Sequence, residues 1–428
     1  MKCGFQAGQG TRVLMTVALA FMLAVVTPSA WAQDKELSIF TMQLKPMYTE
    51  YMENMLRRFE QAHPGVRVKW LDYPAQGYET KLLSLIVSNQ APDVLNLPFQ
   101  YMLTLNDRGL IMQLDDRLTS EQKAQYVQAV LDEGCRVNGQ LRALPWYLST
   151  GVLMYNTEIL ERAGLDPSKP PTTSEELWAM CRTIKEKTGV FGFLPTFTED
   201  GAFKGLFAAE GVPLTNPEMT RAAFNTPEGI RVVKEYKKLY DEGIIPRESM
   251  TAEHRRAIDL YKSGRAAFLP TGPQFLLIVK NEAPDIYART GVGFQIPVKG
   301  SGKYVVDMQN LAIYEKTPHP KEAVDLALWV TNAENQLAFS KLVTIFPSVE
   351  AALADPYFSS PGTSPEDKAR YIGAQQLRNP TVLLPPLPKL AQLNKVFNDM
   401  ARQVMLRNVP VEKAVAEAEA KWNEILGK

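Results

Sequence analysis

Histidine is nearly missing from this sequence: there are three in 428 residues, at positions 63, 254 and 319. None has a second histidine or a cysteine at ligand spacing, so neither a zinc centre nor a histidine-based acid–base site is supported. Each is expected at an ordinary surface position, His63 and His319 beside prolines and His254 in a charged helix. Cysteine is as rare, with Cys3, Cys135 and Cys181 only. The last two could pair in an oxidising compartment, but their spacing does not establish a bridge, and buried free thiols are the preferred reading. A surplus of either charge is absent too: 47 basic and 47 acidic residues leave a formal net charge of zero. Nucleic acid and anionic membrane are thereby disfavoured as partners, since both call for a basic excess. No Gly-x-Ser-x-Gly elbow is present. Gly300-Ser-Gly-Lys303 lacks the phosphate-loop glycine, with Pro297 in its place and Tyr304 where a Ser/Thr metal ligand should follow, so a turn between strands is expected. No cofactor is expected. Paired acids such as Glu199-Asp200, in a loop, are read as solvated.

What is present begins with a weakly basic lead containing Lys2 and Arg12, then an apolar run over 13–26, Pro28 and Ala30-Trp-Ala32. That is the pattern of a secretory signal cleaved after Ala32, and the run is too short for a spanning anchor. No later stretch is apolar enough to cross a bilayer. A mature chain from Gln33, soluble and periplasmic, is expected, large enough for two domains. Its opening alternates short apolar runs, Leu37-Ser-Ile-Phe-Thr41, Val66-Arg-Val-Lys-Trp70 and Asp93-Val-Leu-Asn-Leu97, with helical patterns over 48–59 and 78–87. This is the signature of a parallel sheet with covering helices. Thr173-Ser-Glu-Glu176 reads as a capping box, and Thr226-Pro227 and Ser364-Pro365 as helix starts. Val411, Val415, Ala418, Trp422 and Ile425 form one packing stripe of a last helix. The whole is α/β.

Three stretches taken in order carry a family resemblance. The first is Phe59-Glu-Gln-Ala-His-Pro-Gly-Val-Arg-Val68, with Ala91-Pro-Asp-Val-Leu95 and Asn106-Asp-Arg-Gly-Leu110. The second is Asn138-Gly-Gln-Leu-Arg-Ala-Leu-Pro145, with Leu153-Met-Tyr-Asn156 and Ala163-Gly-Leu165. The third is Tyr261-Lys-Ser-Gly-Arg-Ala-Ala-Phe268 with Thr271-Gly-Pro273, followed by Asn335-Gln336 and Phe346-Pro-Ser348. Together they resemble the family 1 extracellular solute-binding proteins, the carbohydrate receptors of ABC importers that include the maltose-binding proteins. The resemblance implies a periplasmic-binding-protein type II-like fold: two discontinuous α/β lobes joined by crossing strands, with ligand in the cleft between. Crossings are expected at 145–155, at 305–313 and around Phe346-Pro347. The implied domains are a signal peptide at 1–32, lobe 1 at 33–147 plus 311–345, and lobe 2 at 148–310 plus 346–428.

In such sheets ligand residues come from loops at the carboxyl ends of strands. The candidates are Gln43, Lys45, Gln100, Tyr101, Trp146 and Tyr147 from one side, and Phe197, Glu199, Gln274, Asp307 and Gln309 from the other. Trp146 is expected to offer its ring to the apolar face of a pyranose. Amides and carboxylates would take the hydroxyls. The departures from maltose-type relatives are Gly272-Pro273-Gln274 in place of a Gly-Pro-aromatic, Asn394 and Lys395 at a late aromatic pair, Ser149 for an acid, and Asp307-Met-Gln-Asn310 at a crossing usually small and glycine-rich. They suggest a short, polar ligand. The expected partners are therefore a mono- or oligosaccharide or glycoside and the permease–ATPase complex of an ABC importer, with the chain a monomer and not an enzyme. Alternatives are a receptor for a polyol derivative such as a glycerol phosphodiester, for which Lys45 and Lys395 would be the cations, and a secreted glycosidase.

Overall fold

The computed structural model describes Met1 and residues 35–198, 202–382, 387 and 389–427. The expected signal segment and Glu199-Asp200 lie outside the described residues. Strands β1 (Lys35–Met42), β2 (Val66–Tyr73) and β3 (Val94–Pro98) alternate with helices Thr49–Ala62 and Tyr78–Val87. β1 lies between the other two and parallel to both. Its Leu37, Ile39 and Phe40 are all buried, so both faces of this strand need covering. The hairpin of β4 (Arg136–Val137) and β5 (Gln140–Leu141) leads into β6 (Leu144–Thr150). A single residue, Gly151, then separates β6 from β7 (Val152–Asn156), which belongs to a second sheet. That sheet also takes β8 (Phe191–Phe193), β9 (Ala266–Thr271) and β10 (Thr290–Phe294), in the order β10-β7-β9-β8. The chain returns to the first sheet as β11 (Tyr304–Ile313), antiparallel to β3 and β6. β12 (Phe346–Pro347) then pairs with β6, and β13 (Pro380–Thr381) with β11.

Each sheet is sandwiched. One face of the first packs Leu37 and Ile39 against Met52, Met55 and Phe59 of helix Thr49–Ala62 and against Ala323 and Ala327 of helix Pro320–Val330. The other packs Phe40, Leu95 and Leu97 against Tyr78, Leu82 and Met102. The second sheet does the same: Leu153 and Phe268 meet helices Ser174–Thr188, Pro227–Asp241 and Leu390–Arg407 on one side, and Val152 and Leu269 meet Ile258, Tyr261 and Ile372 on the other. The fold is α/β in two lobes, each assembled from separated stretches of chain. The last helix, Val411–Leu426, packs by the expected stripe, with Val415 and Trp422 fully buried. At Thr173 the hydroxyl accepts from the Glu176 amide as expected, but the Glu176 carboxylate reaches back one residue further, to the Thr172 N–H at 2.8 Å.

The change of sheet falls at Gly151 on the way out and between Phe294 and Tyr304 on the way back. Boundaries at 147/148 and 310/311 lie inside β6 and β11. Those two strands are bonded to each other from Leu144–Leu311 to Thr150–Val306, and this ladder keeps them in the first sheet. Residues after Phe346 also stay there for a while: Phe346, Val349 and Phe358 pack in the first core, and helix Pro365–Gln376 carries the chain across with Ala369 and Ile372 in the second. Cys135 and Cys181 are buried free thiols in different lobes, and burial pushes both thiols up. The three histidines are half-buried rather than on the surface. His63 stacks on Phe59 at 4.1 Å, and His254 bridges the hydroxyls of Thr196 (2.9 Å) and Thr271 (2.7 Å).

Candidate functional site

The carboxyl ends of β1, β2 and β3 all emerge on one edge of the first sheet, because the strands are parallel. β11 crosses this edge: Gln309 pairs with Pro98, and Tyr304 to Met308 run on beyond it. β6 accompanies it, pairing Tyr147 with Gln309 and Ser149 with Asp307. Cross-strand partners share a face, as do residues two apart, so these four side chains form one surface. It is a floor of one acid, one amide, one hydroxyl and one phenol. Asp307 stays solvent-exposed on this floor and makes no side-chain hydrogen bond to the described residues. The protein mass around it nevertheless disfavours its charge, and desolvation raises its carboxyl above the usual range.

The neighbouring groups are held in place. Gln309 Oε1 accepts from Asn96 Nδ2 at 2.9 Å, and the buried Asn96 in turn accepts from the Met42 amide. Tyr78 donates to the Asn96 carbonyl at 2.6 Å and stacks with Tyr101 at 6.3 Å. Gln100 lies half-buried at the start of the same helix, Phe99–Asp107. After β1 the chain turns through Gln43, in the left-handed region at φ 56°, with its N–H on the Tyr73 carbonyl. Asp72 fixes that turn by accepting from the Thr41 hydroxyl (2.7 Å) and the Leu44 and Lys45 amides (3.0 Å each). Asp72 and Asn96 escaped the sequence reading. A polar residue at the carboxyl end of a buried strand was the available signal.

Several expected site residues are elsewhere. Trp146 is fully buried with Leu144 and Leu148 in the first core, and its ring stacks on Phe339 at 5.8 Å. The expectation of a cleft-facing indole is therefore corrected. The register shifts between Gln309 and Asn310, which leaves Trp146 as the extra residue of β6. Tyr147 instead remains half-buried, edge-on to Trp146 and Phe339, with burial raising its phenol. Phe197 is also core, edge-on to Phe203 (5.1 Å) and Tyr236 (5.8 Å). Glu199 lies outside the described residues. Gln274 is exposed on the turn Pro273–Phe275 at the end of β9. Lys45 places its ammonium 4.3 Å from the centre of the Trp70 ring. Lys395 points outward and pairs with Asp399 at 2.8 Å. Both ammonium groups are engaged, that of Lys45 by an aromatic face and that of Lys395 by a carboxylate. Among the described residues no group of three metal-ligating side chains occurs. Cavities of 240 Å³, around Trp178 and Tyr236, and 480 Å³, around Phe358 and Leu377, contain no floor residue.

With this geometry in place, similarity to known proteins narrows the reading. A solved structure of a provisionally named oligosaccharide periplasmic-binding protein from Synechococcus sp. MITs9220 superposes with a TM-score of 0.81 at 31% identity, covering 91% of this chain and 98% of that one. The cyclic alpha-maltosyl-1,6-maltose binding protein of Arthrobacter globiformis superposes with a TM-score of 0.78 at 20% identity, over 92% and 99% of the two chains. A Deinococcus radiodurans protein named as a probable ABC transporter-binding protein is 24% identical over 283 residues, 61% of this chain and 66% of that one. The sequence model described as bacterial extracellular solute-binding protein matches residues 54–366. A two-lobed α/β fold with a polar floor where the strands cross, and a family match over well over half the chain, lead to one assignment: this chain belongs to the bacterial extracellular solute-binding proteins.

Proposed function

We propose that this protein is the sugar-capturing subunit of an ABC importer, exported by cleavage after Ala32 and working as a periplasmic monomer that hands its ligand to a permease–ATPase complex. One observation carries the ligand class: an exposed carboxylate, Asp307, with no side-chain hydrogen bond among the described residues, sharing a strand face with Tyr147, Ser149 and Gln309. A carboxylate accepts two hydroxyls at once, a positioned amide both donates and accepts, and a phenol ring covers an apolar sugar face. The ligands for which these structural relatives are named, oligosaccharide and cyclic maltosyl-maltose, are of this chemistry. A glycerol phosphodiester would want a free cation in the cleft, whereas the Lys45 ammonium lies over the Trp70 ring and that of Lys395 is paired with Asp399.

Turnover is not expected. A glycosidase uses a carboxyl pair, one as acid. Of the acids described at this edge, Asp72 is occupied as an acceptor of three donors. The test is a thermal-shift panel of mono- and oligosaccharides, polyols and their phosphates. At a hundredfold excess over Kd a true ligand stabilises by about 2.7 kcal/mol. The best compound should be recovered unchanged after long incubation. A hit confined to phosphates overturns the sugar reading, and a recovered product overturns the binder. Intact mass of the native periplasmic protein should begin at Gln33.

A further inference from the structure

Three passages between the lobes meet in one buried knot of amide hydrogen bonds. Gln376, fully buried at the end of helix Pro365–Gln376, donates from Nε2 to Thr150 Oγ1 at 2.7 Å and to the Gly151 carbonyl at 2.9 Å. Its Oε1 accepts from the backbone N–H of Gln295 at 2.9 Å. The Gln295 side chain donates to Thr150 Oγ1 at 2.8 Å and to the Val305 carbonyl at 2.9 Å. Both amides can sit only this way round, because the Gly151 and Val305 carbonyls only accept and the Gln295 N–H only donates. Thr150 ends β6 and Val305 is the second residue of β11, both in the first sheet. Gln295 leaves β10 of the second sheet, and Gln376 lies one turn beyond Ile372 in the second core. The knot therefore joins first-lobe groups to second-lobe groups at the passages through Gly151, through 295–303 and along helix Pro365–Gln376, one pair along the ladder from Asp307 and Ser149.

We infer that Gln376, with Gln295, is the positioning element of the hinge: a fixed pivot that sets the angle between the lobes and thereby the ligand-ready fraction of the empty protein. A buried polar knot stays assembled because each broken bond would strand a donor or acceptor away from water. Rotation is then taken up beside it, in the stretch 296–303, which lies after Gln295 and before the pairing of the first sheet begins. A binder whose competent state is only partly populated loses affinity in proportion, so a loosened pivot weakens binding without touching a ligand contact.

The test needs no ligand. Spin labels on cysteines introduced at the exposed positions Thr80 and Glu186, one in each lobe, report the interlobe distance distribution of the full chain, Cys135 and Cys181 being buried. Gln376→Met keeps the volume and removes the bonds. Its distribution should widen by half or more relative to the parent. Ile372→Ala, on the same helix and equally a core change, should leave the width as it was. Where the best sugar of the panel is known, its affinity should fall about fivefold in Gln376→Met. Should Gln376→Met not fold, Gln295→Met, at a half-buried site, must widen the distribution likewise. An unchanged width in the readable glutamine variant, or equal widening in Ile372→Ala, overturns the pivot. Because the distances are those of the empty protein, this result stands apart from whether the ligand is a sugar.

Discussion

The two sides of the cleft are built differently. On the first lobe the candidate edge is pinned from below: Asp72 holds the turn after β1, Asn96 holds Gln309, and Tyr78 ties Asn96 to the strand beside it. On the second lobe, the aromatic expected in the cleft, Phe197, has gone into the core, and Gln274 stands exposed on a short turn. A site pinned by buried groups loses little freedom when a ligand arrives, while a side chain in solvent must be ordered first. Most of the binding free energy should therefore come from the first lobe and from β11, with the second lobe closing over a ligand already oriented.

The largest effect should be one that belongs to neither side of the cleft. Trp146→Ala removes a fully buried indole stacked on Phe339, and large aromatic truncations in cores cost about 3–5 kcal/mol. Chemical denaturation of the empty protein should show this loss. An unchanged empty protein with sharply weakened binding would return the indole to the cleft. Next comes Tyr147→Ala, expected to weaken binding by about 2 kcal/mol, roughly thirtyfold, because its ring is the aromatic that the floor retains. Calorimetric titration of the best panel sugar reads this directly, and a loss below threefold would remove the ring from the ligand.

Asp307→Asn should cost about tenfold in affinity, near 1.4 kcal/mol, since an amide accepts on only one of its two positions. Its stability effect runs the other way. Asp307 binds its proton more tightly folded than unfolded, as desolvation raises its carboxyl. The unfolded chain therefore ionises first, and stability falls as pH rises from the ordinary carboxylate range to the raised value. At neutral pH Asp307→Asn should melt no lower than the parent and somewhat higher, and the difference should close on acidification. Ligand affinity of the parent should drop over the same interval as the carboxylate takes up its proton. A variant that melts lower at neutral pH would mean that Asp307 carries a stabilising partner.

Much of this architecture was legible in the sequence because periodicity is local. The strands around Leu37, Val66 and Val94, the helix stripe through Trp422 and the glycine and proline punctuation all declare themselves within a few residues. The type of site was legible from order and resemblance, and Asp307, Gln309 and Tyr147 do share a surface. What could not be read was anything decided by distant contacts. Trp146 and Tyr147 are neighbours with similar chemistry, and Trp146 falls on the side of β6 shared with Leu144 and Leu148, which distant parts of the chain such as Phe339 cover. Phe197 looks like a loop aromatic until Phe203 and Tyr236 surround it. Gln376 reads as a helix-end glutamine, while its partners Thr150 and Gly151 lie 226 and 225 residues away.

The smallest effect tests the second lobe most sharply. Gln274 is the exposed second-lobe candidate, and its amide folds back on Gly272, where an added Cβ would lie 2.3 Å from the side-chain oxygen. Gly272 has φ −74°, which any residue adopts, so Gly272→Ala strains no backbone. Its whole effect should be to push a flexible amide off its resting place. Gln274→Ala should weaken binding by about 0.5–1 kcal/mol, two- to fivefold, with the melting temperature of the empty protein unmoved. Gly272→Ala should match it if the resting pose is the binding pose, and the double variant should then be no worse than either alone. Full additivity would mean that Gly272 meets the ligand itself. A loss of thirtyfold or more in Gln274→Ala would place the second lobe on a par with the first and break the asymmetry between them.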